Sequence, residues 1–354
     1  MSGKKVISGI QQIGIGNRGV HPLWKWYRQN FGMDIGIFEE AAPAPLMTIY
    51  TGGEVQSRNA ALAVNMQGGG GFEIWQFTSR EAQPPAFETR LGDLGLYIAK
   101  MKSKDVKKAY ESFKAKGLNL QGELSNDPAG RPHFYVKDPN GNIFEVVEGD
   151  SWFGNNEHLT GGAFGMVIGV SDMEKSLKLY RDILEHDKVI YDETGNFEDL
   201  KALKGGEGRF RRVLLQNSKK RQGAFGPLLG NSQIELVQDL DNKGRKIFEN
   251  RYWGDLGYIH LCFDVRNIAA LEKECEAAGF PFTVDSNNSF DMGKAAGRFS
   301  YIEDPDGAWI EFVETHKVPV MEKWNWYLNI KNRKPEKPLP KWMLAALKFN
   351  KVKD

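Results

Sequence analysis

GDLGLYIAKMKSKDVKKAYESFKAKG, residues 92–117, aligns without a gap on GDLGYIHLCFDVRNIAALEKECEAAG, residues 254–279, at a shift of 162. Both stretches run on to near-identical hairpins, DPNGNIFEVVE at 138–148 and DPDGAWIEFVE at 304–314. A period this long marks duplicated units, not a solenoid of short repeats. Equivalent positions can therefore be compared inside one molecule, and chemical differences between copies indicate where a site was kept or lost. Ile98 against His260 is one such difference.

Two further alignments extend the duplication. IGIGN near Ile13 with LWKWYRQNFGM resembles VIGVSD near Val167 with SLKLYRDILE, offset by 153 at Tyr27 and Tyr180. GGFEIWQF at 70–77 falls on SQIELVQD at 232–239, placing Glu73 opposite Glu235 at the same 162 shift. The chain thus reads as four modules, at about 5–80, 88–150, 160–240 and 250–316, with a joint at 149–162. Each opens on a short apolar strand, continues into an amphipathic helix and closes with further strands, a βαβββ pattern. In the third module Met173, Leu177, Tyr180 and Leu184 form the helical stripe, with Ser171-Asp172 placed to cap it. In the fourth, Ile268, Leu271, Cys275 and Ala278 play that part and Gly279 supplies a left-handed C-cap. The expected organisation is α+β: residues 1–150 and 151–316 as two domains of two modules each, then a basic, aromatic extension at 317–354.

Bulk properties narrow the function classes. The 354 residues, 41% apolar and 12% aromatic, suffice for two ordinary cores. With 47 Lys and Arg against 46 Asp and Glu, the formal charge of +1 provides no field to attract nucleic acid or an anionic membrane. Cys262 and Cys275 make neither a disulfide framework nor a CxxC metal knuckle, and a cytoplasmic compartment is expected. No run approaches the roughly 18 apolar residues of a membrane helix.

The chemistry-bearing residues lie on strands. Alternation groups His260 with Tyr258 and Cys262, and Trp309 with Glu311 and Val313. A glutamate among apolar neighbours is costly unless a proton, a cation or hydrogen bonds compensate it. Glu73, Glu145, Glu235 and Glu311 stand at equivalent ends of the four modules.

On these residues the chain resembles the vicinal oxygen chelate superfamily, which contains glyoxalase I, extradiol dioxygenases, epimerases and bleomycin-resistance proteins. The resemblance covers about residues 5–316. It implies that paired modules curve into two cups, with metal ligands on the first and last strand of each module. The four first-strand positions are then Gln12, Ile98, Gly165 and His260, and the last-strand positions are the four glutamates. If neighbouring modules pair, one cup holds Gln12, Glu73 and Glu145 and the other Glu235, His260 and Glu311. If the first module pairs with the fourth, the set is Gln12, Glu73, His260 and Glu311, the arrangement preferred here because both defects then fall in the other cup. Glu235 is the alternative ligand.

Three oxygen donors and one imidazole suit an octahedral divalent ion, among them zinc, nickel, iron and manganese. The resemblance implies a metal-dependent lyase or isomerase of the glyoxalase type acting on a small vicinal-oxygen substrate. Glu311 would be the first choice of base and Glu73 the second. A ring-cleaving dioxygenase would want two histidines, and Gly165 stands where the other should be; His158 and His186 are expected at the surface. A metal-free binding protein of the bleomycin-resistance type is the third reading. Arg298, Tyr258 and Trp309 are the candidate substrate contacts, and the protein is expected to act as a monomer or homodimer without nucleic-acid or membrane partners.

Several signals are discounted. Gly14, Gly16 and Gly19 spell GxGxxG with Glu39 some twenty residues on, but the equivalent Gly165–Asp172 lacks that spacing and no doubly wound pattern follows. Gly68–Gly71 reads as a hairpin loop, and the two DPxG segments as type I turns. Arg209, Arg211 and Arg212 read as a solvated strand face. SFDMGKAAGRFSYIEDPDG could form a flap carrying Arg298 to the cup. In the extension, Trp324, Trp326, Tyr327 and Trp342 are expected to pack on the body, and closure of one cup by the tail is the weaker alternative.

Overall fold

The computed structural model describes residues 3–287, 290–291, 296–321 and 326–353. The first module comprises β1 (Val6–Gly16), α1 (Val20–Phe31), β2 (Ile35–Pro43), β3 (Ser57–Val64) and β4 (Gly71–Phe77). The second has β5 (Gly95–Ser103), α2 (Val106–Ala115), β6 (Asn119–Asn126), β7 (Pro132–Lys137) and β8 (Ile143–Glu148). The third has β9 (Thr160–Gly169), α3 (Met173–Leu177), β10 (Lys188–Gly195), β11 (Phe210–Gln216), the short α4 (Gly226–Leu229) and β12 (Gln233–Asp239). The fourth has β13 (Gly257–Arg266), α5 (Ile268–Ala278), β14 (Val284–Asp285), β15 (Phe290–Asp291), β16 (Ala296–Glu303) and β17 (Trp309–Met321). Beyond it lie β18 (Trp326–Asn329) and α6 (Lys341–Ala345).

Two curved sheets result. One runs β14-β16-β17-β13-β1-β4-β3-β2, with β15 against β16 and β18 against β17; the other runs β10-β11-β12-β9-β5-β8-β7-β6. The first module therefore joins the fourth through the antiparallel pair β1/β13, and the second joins the third through β5/β9. Each sheet takes one module from residues 1–150 and one from 151–316. Within every module the first strand lies parallel to the last, because the helix crossover returns the chain in the same direction.

The helices form where the periodicity places them. Asp172 caps α3 by accepting from the Lys175 amide, while Ser171 turns instead to Asp306. The third-module helix continues past α3 as a widened turn through Ile183, keeping Met173, Leu177, Tyr180 and Leu184 buried. Gly279 closes α5 at φ +90°, a left-handed conformation that costs glycine nothing. The largest core packs the helix stripes against the apolar strand faces, Tyr27, Phe31, Phe113 and Phe144 among them. Two equivalent contacts tie helices to hairpins: the Tyr27 hydroxyl donates to Asp138 at 2.6 Å and the Tyr180 hydroxyl to Asp304 at 2.8 Å. In both DPxG turns the glycine amide donates to the aspartate carbonyl at 3.0 Å, closing the turn, and the aspartate side chain accepts from further turn amides.

The run Gly68–Gly71 connects β3 to β4, and its backbone amides are engaged within the protein. The Gly69 amide donates to Leu228 and the Gly70 amide to Ala163, stitching the two sheets together. A Cβ on Gly70 would sit 2.7 Å from the Ile10 carbonyl oxygen. Among the described residues, no helix is long and apolar enough to cross a membrane.

Candidate metal centre

Gln12 and His260 face the concave side of the first sheet because β1 and β13 are each interrupted by an extra residue. Pairing runs from Ile10–Phe263 directly to Gln12–Cys262, leaving Gln11 unmatched, and from Gly14–His260 to Ile15–Tyr258, leaving Ile259 unmatched. Such bulges re-aim the side chains beside them. The second sheet repeats both, at Phe164 and Tyr97, so the devices that aim the ligands were duplicated with the modules.

Four side chains converge. The Glu73, His260 and Glu311 ligand atoms all lie within 4.8 Å of one another. His260 Nε2 stands 3.1 Å from a Glu73 oxygen and 3.2 Å from a Glu311 oxygen. Gln12 Nε2 donates to Glu73 at 3.2 Å and reaches Glu311 at 3.5 Å. A half-turn of the amide would offer its oxygen to the same point, since the two amide ends occupy nearly the same space. His260 is fully buried, with its Nδ1 3.4 Å from the Tyr301 hydroxyl and its ring stacked at 6.2 Å on Trp253.

These residues fit a cation. Neither carboxylate oxygen meets hydrogen-bond geometry at His260 Nε2, so a buried ring nitrogen is left without an aligned partner. His133 of the other cup, set between two carboxylates, is left the same way, so it is the convergent donor set that fits an ion. Gly14 makes the cradle: a Cβ there would lie 2.5 to 2.8 Å from three atoms of the imidazole ring. Gly16 is required separately, because its Cβ would come within 2.0 Å of the Asp255 carbonyl oxygen. Two of the three GxGxxG glycines are thus explained by packing. Among the described residues no lysine or arginine pairs with Glu73 or Glu311. Burial lifts the Glu311 carboxyl above its ordinary range, aided by Glu73 and opposed by His260. For His260, burial acts to lower the imidazole, but Glu311 and Glu73 prevail and raise it.

The other cup has supplied its own cation. Lys100 occupies the ladder position equivalent to Cys262, paired with Glu145 as Cys262 is with Glu311. Its ammonium contacts Glu145 and lies 2.7 Å from Glu235. Glu235 also accepts from Tyr191 at 2.8 Å and Arg212 at 2.9 Å, and Arg212 is bound by Asp199. His133 stands between Glu145 at 2.8 Å and Asp199 at 3.4 Å. Burial would raise both glutamates, yet Lys100 and its neighbours hold them low. Ile98 and Gly165 contribute no donor. Glu235, the alternative ligand, therefore lies in the other sheet and is fully engaged.

The remaining candidates are placed as follows. The Ile259 bulge breaks the alternation on which Tyr258 was grouped with His260. Tyr258 turns into the helix-side core and donates to the Ile143 carbonyl, while Ile259 joins the cup side. Trp309 packs beneath the cup on Tyr50 and Phe248. Arg298 is tied to Asp285 and Glu272, directed away from the cup. The flap segment at 288–289 and 292–295, and Trp324, lie outside the described residues. Arg212 is fully buried where a solvated face was expected, whereas Arg209 is exposed and Arg211 pairs with Asp192 and Glu174. His186, expected at the surface, is buried against Ser232; His158 is half-buried beside Asp34. Above Gln12, Glu73 and Glu311 opens a cavity of about 600 Å³. Leu339, Met343, Leu344 and Leu347 of the extension line it, so the tail closes this cup with aliphatic residues, and Trp342 remains 61% exposed.

Residues 9–146 and 158–312 match the family model described as Glyoxalase/Bleomycin resistance protein/Dioxygenase superfamily. No curated protein matches the sequence. A solved glyoxalase I point mutant from Zea mays shares 15% identity at a TM-score of 0.52, over 88% of this chain and 92% of that one. A putative dioxygenase from Bacillus subtilis shares 12% identity at a TM-score of 0.55, over 99% and 98% of the two chains. At such identities the likeness is one of fold.

Proposed function

Since the chain belongs to the glyoxalase/bleomycin resistance protein/dioxygenase superfamily, we propose that its first cup is the active site of a metal-dependent lyase or isomerase of the glyoxalase type. Gln12, Glu73, His260 and Glu311 would hold one divalent ion, with zinc, nickel, iron and manganese all compatible with the donors. Bound there, the ion would polarise two adjacent oxygens of a small substrate and acidify the neighbouring C–H. Glu311 would take that proton and return it to the adjacent carbon. Glu73, on the opposite side of His260, is the second proton carrier. Tyr301 and Trp253 keep the imidazole oriented, and the aromatic wall around them excludes water.

One contrast carries this reading. Two cups descended from one ancestor each retain two inward glutamates; one neutralises them with Lys100 and Arg212, and the other offers only an imidazole and an amide. One histidine with two carboxylates is also a poorer match to ring-cleaving iron chemistry than two histidines with one.

Metal analysis of protein purified without a nickel column tests it. One divalent ion per chain is expected in the wild type and its loss in His260→Ala. Equal metal content in the two proteins contradicts the ligand assignment, and a wild type that retains no ion under metal-replete conditions favours a binding protein. Oxygen uptake with catechols would transfer the proposal to a dioxygenase.

A further inference from the structure

The cavity above Gln12, Glu73 and Glu311 is lined mainly by apolar side chains, with Glu40, Arg58, Thr315 and Asn350 the main polar groups away from the floor. Its walls come from β2, β3 and β17, with Phe38, Leu62, Val64 and Val313 facing inward. Its far side is closed by Leu344 and Leu347 of the extension and by Leu228 of α4. Among the described lining residues the one cation is Arg58, and Glu40 claims it: the guanidinium donates to the Glu40 carbonyl at 3.0 Å and to its carboxylate at 3.3 Å. Among the described residues, a substrate carboxylate or phosphate entering here would lose its hydration without meeting a free counter-charge, an unfavourable exchange. About 600 Å³ is also far more room than two chelating oxygens and the carbons bearing them require, and it falls in the range that encloses a drug-sized molecule.

The tail is built as part of that wall. Its last residues are secured to the first module, with the Val352 amide donating to the Asp34 carbonyl at 2.9 Å and Lys351 pairing with Asp34. The Leu339 amide donates to Ala224 at 3.0 Å, and Leu344 is almost wholly buried. Both ends of the segment are therefore pinned, and the leucines between them face the cavity.

From these observations we infer that the substrate is a largely apolar molecule carrying its neighbouring oxygens at one end and no charge along its body, with the C-terminal segment supplying its distal subsite. The inference rests on the metal-site reading only for the oxygen-bearing end; the apolar body is argued from the cavity alone.

Two homologous series separate these parts. Binding of 4-alkylcatechols and of 4-alkylphenols, with side chains from methyl to octyl, is measured by calorimetry on metal-loaded and metal-stripped full-length protein. Affinity should rise roughly fourfold per added methylene in both series, with or without metal. Catechols should exceed phenols only when metal is present. Leu344→Ala should flatten the rise at the longer chains and leave the methyl members unchanged. A chain-length series that is flat in both proteins overturns the inference and leaves the metal site standing. A preserved chain-length dependence with no catechol advantage overturns the metal site and leaves the inference standing.

Discussion

Replacing Gly14 with alanine adds one methyl group and should disable the metal centre. The new Cβ would stand 2.5 Å from His260 Cε1, 2.7 Å from Nε2 and 2.8 Å from Nδ1. Carbon contacts are comfortable at roughly 3.5 to 4.0 Å, so the ring must retreat by about 1 Å. It has nowhere to go, being fully buried, stacked on Trp253 and set edge-on to Tyr301. Overpacking of this kind costs about 1–3 kcal/mol. Ligands generally need to be held within about 0.5 Å of productive geometry, and loss of the surroundings that orient a metal ligand lowers affinity by roughly 10- to 100-fold. Gly19→Ala provides the control. That residue is extended at φ −164° and its Cβ would meet Pro22 at an ordinary 3.5 Å. Metal affinity read by competition with a chromophoric chelator should fall at least tenfold in the first variant and stay unchanged in the second. An affinity within twofold of wild type in Gly14→Ala would refute the claim that this glycine exists to admit the imidazole.

The second cup yields two more expectations. Lys100→Met leaves Glu145 and Glu235 buried without their shared ammonium and should destabilise the protein by about 3–5 kcal/mol in urea unfolding, with metal content unchanged; a loss under about 1 kcal/mol would show that Arg212 and His133 suffice. Burial would lower His133, but Asp199 and Glu145 raise it to about 9. Its contribution is therefore fully present below the unfolded value of about 6.5 and is lost as pH rises through about 9, up to roughly 3 kcal/mol. Urea midpoints at pH 6 and 9.5 should differ less in His133→Gln than in the wild type, and identical slopes would contradict the assignment.

Internal duplication made much of this molecule legible. The modules, the four glutamate-bearing strands and the contrast of His260 with Ile98 could be read because each position had a copy to be compared with. The joining of the first module to the fourth could be preferred only on the distribution of defects, since strand order depends on contacts distant in sequence. Tyr258 was misplaced because a one-residue bulge reverses which face a side chain occupies, and nothing in YIHLCF announces it. Lys100 went unnoticed for a different reason: in GLYIAKMKS, a lysine two residues from another looks like a solvated edge. The signal was there in the comparison of Lys100 with Cys262, an ammonium against a thiol at one ladder position. His133 and Arg212 were passed over likewise, because a charged group's burial depends on partners that only the folded chain assembles.

Gln12 and Glu311 meet across 299 positions of chain, whereas the sheet that carries Lys100 is drawn from one continuous interior stretch. The interior sheet can thus be finished while the last module is still being synthesised, and its positive charge arrives with the polypeptide. The outer sheet must wait for both ends, and closing so long a loop is slow. The order of assembly is accordingly expected to run from the middle outward. A chain interrupted before Trp309 would therefore hold a complete inner sheet and an unfinished outer one.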